Sequence, residues 1–250
     1  GEDLIARRVV EKLHEVDPSL FIEILPLVGQ GKAFEGVLEE NSVVKIGITQ
    51  SLPSGGFSNQ SLRGLFLDLR KGILKLILNQ FLCLRKAANN GRVIIAIGDL
   101  FPLFLAWSSR ANYVFLGTPK SDYTWTSGPG YLLSDFYHRI KGSEWDPWEY
   151  FFMRASKCMM VVVRDKLTAR GLKRKGVDVD FFGNPMMDGF GEDITLDSLE
   201  GYRRLIMLCG SRYPESKNNF KRLLNAIELM KSSIPIAIFV ALSSSNMLDE

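Results

Sequence analysis

Val93-Ile94-Ile95-Ala96-Ile97-Gly98-Asp99, together with Met159-Met160-Val161-Val162-Val163 further along, decides how this sequence is read. A strand with one wet face alternates apolar and polar residues. A strand covered on both faces, as in a parallel sheet packed between helices, reads instead as an unbroken apolar run rich in β-branched residues. Both stretches are of the second kind. Outward from them, short apolar runs at 21–27, 43–46, 113–116, 180–182, 205–208 and 236–242 alternate with amphipathic stretches at 4–16, 62–87, 147–155, 166–175 and 217–232. The alternation predicts an α/β protein built on a Rossmann-like, doubly wound parallel sheet. Within 4–16, Ile5, Val9, Leu13 and Val16 recur near helical spacing, and Asp17-Pro18 closes the helix.

The bulk numbers set the bounds. A chain of 250 residues, 46% hydrophobic and 24% charged, can bury one large domain and part of another. A formal charge of +3 is far from the basic excess of a protein built to hold nucleic acid, so no nucleic-acid partner is expected. Cys83, Cys158 and Cys209 are widely spaced in apolar surroundings and read as buried free thiols in a reducing compartment. With only two histidines, His14 and His138, no metal site is expected, and no cofactor either. No run reaches the roughly 18 to 20 apolar residues of a membrane span. The most apolar stretch, 93–107, is interrupted by Asp99 and Pro102.

A boundary is expected where the acidic, Gly-containing stretch 189–202 follows a Gly-Asn-Pro turn, giving a first domain over 1–190 and a linker with a second domain over 191–250. The second part holds one strand–helix–strand unit, which cannot cover both faces of a sheet. The first opens directly on Gly1-Glu2-Asp3 and a helix, without the first strand of a doubly wound sheet. The expectation is a fragment, incomplete at both ends.

Several short segments have the make-up of sites, each with a structural reading beside the functional one. Asp99 ends the best strand of the chain. Flanked by apolar runs, it reads either as a carboxylate whose pKa burial raises toward that of a general base, or as a helix N-cap. Glu2 and Asp3 stand where a Gly-containing loop enters a helix, a place that suits an anionic ligand and, equally, acidic residues drawn to the helix dipole. Pro26-Leu27-Val28-Gly29 and Pro53-Ser54-Gly55-Gly56-Phe57 follow candidate strands, and Ser54, Gly55 and Gly56 read as a phosphate or acceptor cradle or as a plain turn. Gly117 to Tyr123, with Lys120 and Asp122, and Lys141 to Glu149, with Glu144, Trp145 and Trp148, mix aromatics, charges and helix breakers as binding surfaces do. The two tryptophans would stack on a sugar or plug the domain, and Asp146-Pro147 reads as an N-cap with Pro at the first helical position. Leu208-Cys209-Gly210-Ser211-Arg212 is a strand, a tight turn and an arginine before a helix, the parts of a diphosphate site. Over 62–87 a wide apolar arc carries Arg63, Arg70, Lys71, Lys75, Arg85 and Lys86 against only Asp68, which fits a helix lying on an anionic membrane or one buried against its sheet.

In order along nearly the whole chain, these segments resemble the lipid-A-disaccharide synthase-like glycosyltransferases of the GT-B type, in particular a branch of cyanobacteria and plastid-bearing lineages. In that resemblance Gly1-Glu2-Asp3 looks like the end of an Asn-Gly-His-Gly-Glu-Asp loop. Gly183-Asn184-Pro185-Met186-Met187-Asp188 looks like the family's Gly-His-Pro turn, with Asn184 in place of His. Leu208 to Arg212 followed by Glu215 looks like the Leu-Pro-Gly-Ser-Arg-x-x-Glu opening of the second domain, with Cys209 in place of Pro. The resemblance implies an intact, metal-independent inverting enzyme that moves a sugar from a nucleotide diphosphate donor, UDP-linked, to a lipid-type acceptor. Asp99 would be the base, Gly210, Ser211 and Arg212 would hold the donor phosphates, and Glu2, Asp3, Ser54, Gly55, Gly56, Lys120, Asp122, Glu144, Trp145 and Asn184 would form the acceptor loops. It implies a cytoplasmic or plastid-stromal protein, peripheral to a membrane through 62–87, and no turnover by the fragment alone. Two alternatives stand beside it: a non-catalytic binding or scaffold protein that lost its donor half, and a nucleotide-sugar 2-epimerase, which would need more carboxylates and histidines.

Overall fold

The apolar runs form strands, and helices occupy most of the connections between them, the connection between the first two strands holding only a 3₁₀ turn among its described residues. The computed structural model describes residues 2–38, 42–50, 52, 62–125, 130–188, 199–210 and 215–241. The chain divides into two compact units, Gly1–Gly189 and Phe190–Glu250.

The first unit opens with helix α1 (Glu2–Val16), whose first turn is acidic and whose Ile5 and Val10 are buried. Two short strands, β1 (Ile22–Ile24) and β2 (Val43–Lys45), pair in parallel and form a small core with α1 and a 3₁₀ turn over Lys32–Phe34. Helices α2 (Leu62–Arg70) and α3 (Ile73–Asn89) follow. The single helix expected over 62–87 is thus two helices. Gly72 breaks it with φ 87°, a left-handed conformation that costs glycine little and other residues much.

The stretch 93–107 divides as well. Its first part is β3 (Ile94–Gly98) and the rest enters α4 (Leu100–Ser109), which sequence periodicity did not separate from the strand. Pro102 lies in the first turn of α4, where a missing N–H breaks no intrahelical bond. Then come β4 (Tyr113–Gly117), α5 (Leu133–Lys141), α6 (Pro147–Met153), β5 (Cys158–Val163), α7 (Lys166–Arg174) and β6 (Asp180–Phe181). Strands β3 to β6 form one parallel sheet in the order β3-β4-β5-β6. Its core is the inward-facing side of the sheet with α4, α6 and α7: Leu103, Phe115, Trp145, Val161, Val163 and Leu172 are among the least accessible side chains in the protein. The pairing is all-parallel as the continuous apolar runs of β3 and β5 suggested, but cover on both faces is only partial: Ile95, Met159 and Met160 are exposed, while Val161, Val162 and Val163 are buried. Among the described residues the β1–β2 pair makes no ladder with this sheet. Arg92 at the foot of β3 instead reaches Glu23 of β1 at 3.4 Å and lies over the Phe21 ring.

The second unit contains β7 (Arg203–Leu208), α8 (Glu215–Glu228) and β8 (Ile236–Ala241), a right-sized βαβ unit with β7 and β8 parallel. Of the three cysteines only Cys209 is buried. Cys83 and Cys158 are half-buried, and burial pushes the Cys158 thiol up to about 11. No described helix is long and apolar enough to cross a membrane.

Candidate active site

The carboxyl rim of β3 is built by two residues that look unremarkable in sequence. Gly98 adopts φ 131°, and a β-carbon there would stand 3.0 Å from Pro102 Cγ and 3.5 Å from an oxygen of Glu2. The absence of a side chain lets the N-terminal turn of α1 come down onto the end of the strand. Asp99 follows, and its Oδ1 accepts the Phe101 N–H at 3.2 Å, so the residue caps α4. Asp99 is exposed, not buried as its apolar flanks suggested. The strand ends at Gly98 and the cap must project beyond the sheet to meet the first turn of the helix.

The shifted carboxyl is its neighbour. Glu2, though itself exposed, is held above the ordinary glutamate value of 4.5, first by the desolvation its surroundings impose, then by the like charges of Asp99 and Asp3. Glu2 and Asp99 are therefore neighbouring carboxylates at a strand end, and the charge of Asp99 contributes to the raised pKa of Glu2. Beside the pair, Asp3 shares with Gly29, Gln30, Gly31, Lys32 and Ala33 a concavity of about 380 Å³. Gly29 takes φ 87° and donates its N–H to the Gln50 carbonyl at 3.0 Å, which ties this loop to the segment after β2. Lys32 is the cation of that concavity, and nothing in the sequence motifs singled it out. Two of the expected acceptor residues, Glu2 and Asp3, are thus brought together with Asp99. Ser54, Gly55 and Gly56 lie outside the described residues, as do Ser211 and Arg212.

The expected loop residues after β4 form a different assembly. Lys120 donates to Glu149 at 2.6 Å and lies 3.8 Å from Asp146, and its ammonium sits 5.4 Å from the centre of the Trp145 ring. Glu149 is fully buried and also accepts the Asp146 N–H at 2.7 Å. Burial raises its pKa while Lys120 and the Asp146 N–H oppose the rise. Asp146 in turn receives Lys141 at 3.2 Å and the Tyr137 hydroxyl at 3.0 Å. Asp122 accepts the Ser143 hydroxyl at 2.7 Å and the Glu144 N–H at 3.0 Å, so it pins the loop before α6 to the end of β4.

Trp145 is fully buried, edge-on to Phe115 with ring centres 6.0 Å apart. A β-carbon on Gly117 would come within 2.6 Å of it. Trp145 therefore plugs the core and has no face for a sugar. Its partner in the sequence reading, Trp148, is half-exposed and stacks on Tyr137 at 6.3 Å. Lys120, Asp122 and Trp145 thus hold the loop together from within.

Asn184 caps the 3₁₀ turn Pro185–Met187 through the Met186 N–H at 3.2 Å, and Arg8 of α1 donates to the Pro185 carbonyl. The turn is consequently fastened to the helix that carries Glu2. In the second unit Gly210 is exposed with φ 88°, just beyond β7, and Asn219 of α8 donates to the Cys209 carbonyl at 3.2 Å. Glu149 was missed as a structural centre; its one sequence signal is its place three residues after Asp146 at a helix start. No protein-family model and no curated protein matches this chain.

Proposed function

We propose that the first unit is the acceptor-side half of a GT-B type glycosyltransferase, which moves a sugar from a UDP-type nucleotide diphosphate donor to a lipid-type acceptor. The observation that carries this reading is the Glu2–Asp99 pair at the carboxyl end of β3, where ligands of open α/β sheets lie. A carboxylate held above its ordinary pKa and next to a concavity is a suitable general base. In the proposed step Glu2 takes the proton of the acceptor hydroxyl as that oxygen attacks the anomeric carbon. The bond from that carbon to the donor diphosphate breaks, and the diphosphate leaves with the electron pair. Asp99, one residue past the strand, keeps the proton affinity of Glu2 high by its charge and fixes the rim by capping α4. In the second unit, Arg212 is the residue that would neutralise a diphosphate, with Gly210 and Ser211 as the turn before it.

Two surfaces support the lipid-type acceptor. On α3, Leu74, Leu78 and Leu82 form an i, i+4, i+8 stripe and are 68%, 58% and 56% exposed. Between 62 and 89 stand six basic residues and one acidic, Asp68, which is buried; this segment carries +5 of a chain whose total is +3. An apolar stripe flanked by cations suits an anionic bilayer. On α5, Leu133, Phe136 and Ile140 are likewise exposed at i, i+3 and i+7. The test is transfer of labelled sugar from UDP-sugars to lipid acceptors in vesicles by the natural protein. Acceptor-dependent release of UDP that falls about 100-fold or more in Glu2→Gln is the expected result. Absence of transfer, or full transfer by Glu2→Gln, would refute it.

A further inference from the structure

We propose that the outer face of α7, beside β6, binds a ligand carrying two or more phosphate groups. Lys166, Arg170, Lys173 and Arg174 recur at i, i+4, i+7 and i+8, so they share one face of the nine-residue helix, while Thr168, Ala169 and Leu172 are buried on the other. With Asp180 and Phe181 of β6 they line an open cavity of about 590 Å³. That volume is in the range of small-molecule sites, roughly 300–1,000 Å³.

The four cations are unspent. Several other basic side chains of this unit have carboxylate partners, Arg7 with Glu11, Lys12 with Glu15, Lys120 with Glu149 and Lys141 with Asp146. Among the described residues the side chains of Lys166, Arg170, Lys173 and Arg174 have no ion pair or hydrogen bond. The nearest carboxylate in sequence, Asp165, is occupied: it accepts the N–H and the hydroxyl of Thr168 at 2.7 and 2.8 Å. The helix dipole accounts for Lys173 and Arg174 in the last turn, but it opposes Lys166 at the first position. Cations spaced i, i+4 also repel one another. Helix stability alone therefore does not explain the arrangement.

A phosphate does. Guanidinium forks grip phosphate oxygens two at a time, and ammonium groups add charge without demanding direction. The four positions extend along roughly 12 Å of helix, too far for one phosphate and suited to two or three. Asp180 can accept from a ligand hydroxyl, and the half-exposed ring of Phe181 supplies an apolar wall. The shared chemistry is a cluster of phosphates, whether on a free metabolite or on a lipid headgroup.

The experiment titrates the whole chain with inorganic tripolyphosphate by calorimetry, and separately with phosphatidylcholine vesicles that contain a lipid with a multiply phosphorylated headgroup. We expect saturable one-site binding of at least one probe. It should weaken about tenfold or more in Arg170→Gln/Arg174→Gln, whose exposed positions leave the melting temperature unchanged, and stay unchanged in Lys221→Gln/Arg222→Gln, exposed on α8. Tripolyphosphate binding with that pattern assigns a soluble ligand; vesicle binding alone with that pattern assigns a headgroup. Failure of both probes to saturate, or equal weakening by the α8 pair, overturns the proposal.

Discussion

Glu2 and Glu149 are both glutamates whose pKa burial raises, and they do opposite things with the shift. Glu149 sits at the centre of the first unit with Lys120 at 2.6 Å and a backbone N–H at 2.7 Å, so its charge is answered from within the protein. Glu2 stands at the rim of β3, where the charges of Asp99 and Asp3, both of its own sign, add to the effect of burial in raising its pKa. The direction of a shift is thus a poor guide to role. A buried carboxylate with a cation is a structural joint, whereas one crowded by like charges at a strand end is loaded with unsatisfied proton affinity, which is what a base needs.

The comparison breaks most visibly at Lys120. Lys120→Met leaves Glu149 buried without its cation and should cost about 3–5 kcal/mol, read from the shift in urea midpoint. The cost should shrink in acid, where Glu149 takes up a proton. An unchanged midpoint would mean that the pair is not a joint. Glu2→Gln should behave in the opposite way, with turnover down about 100-fold and stability at neutral pH equal or higher, because a penalised charge has been removed. A large stability loss in Glu2→Gln would make the two glutamates equivalent after all.

The pH dependence sharpens the same contrast. A carboxyl whose folded pKa lies above its unfolded value near 4.5 binds its proton more tightly in the folded chain. The stability this adds is complete below that value and is lost as the pH rises through the higher folded value. Glu2→Gln should remove part of that decline in stability. Over the same window the transfer rate should climb, since the base must be ionised, so rate and stability should move in opposite directions. Parallel movement in denaturation and rate profiles would contradict the assignment. The smallest effect is expected at the cap: Asp99→Ala should cost about 1 kcal/mol in thermal unfolding, and Asp99→Asn much less, since an amide oxygen still accepts the Phe101 N–H.

The strands were legible because their signal is local. A run such as 159–163 carries its apolar signal in consecutive residues, although the structure buries only Val161, Val162 and Val163 of it and leaves Met159 and Met160 exposed. Helix breaks were less legible. Gly72 stands in an otherwise continuous apolar pattern, and α5 exposes the apolar side of its period, so neither announces itself against an average. Sites were least legible. Lys120 and Glu149 meet across 29 positions, and Glu2 reaches Asp99 across most of the first unit, distances that no spacing rule spans.

By itself, then, the sequence determined the class of the protein. Its apolar periods demand parallel strands with helices between them, because hydrophobic burial is read residue by residue from composition and spacing. It also marked Glu2, Asp99, Lys120 and Trp145 as residues of consequence. Only the tertiary structure decided which consequence each has. A tryptophan becomes a plug when Gly117 makes room for it. A lysine becomes structural when a buried glutamate faces it, and a glutamate gains proton affinity when folding places the carboxylate of Asp99 beside it. Charge and desolvation act through distance in space, and that distance exists only once the chain has folded.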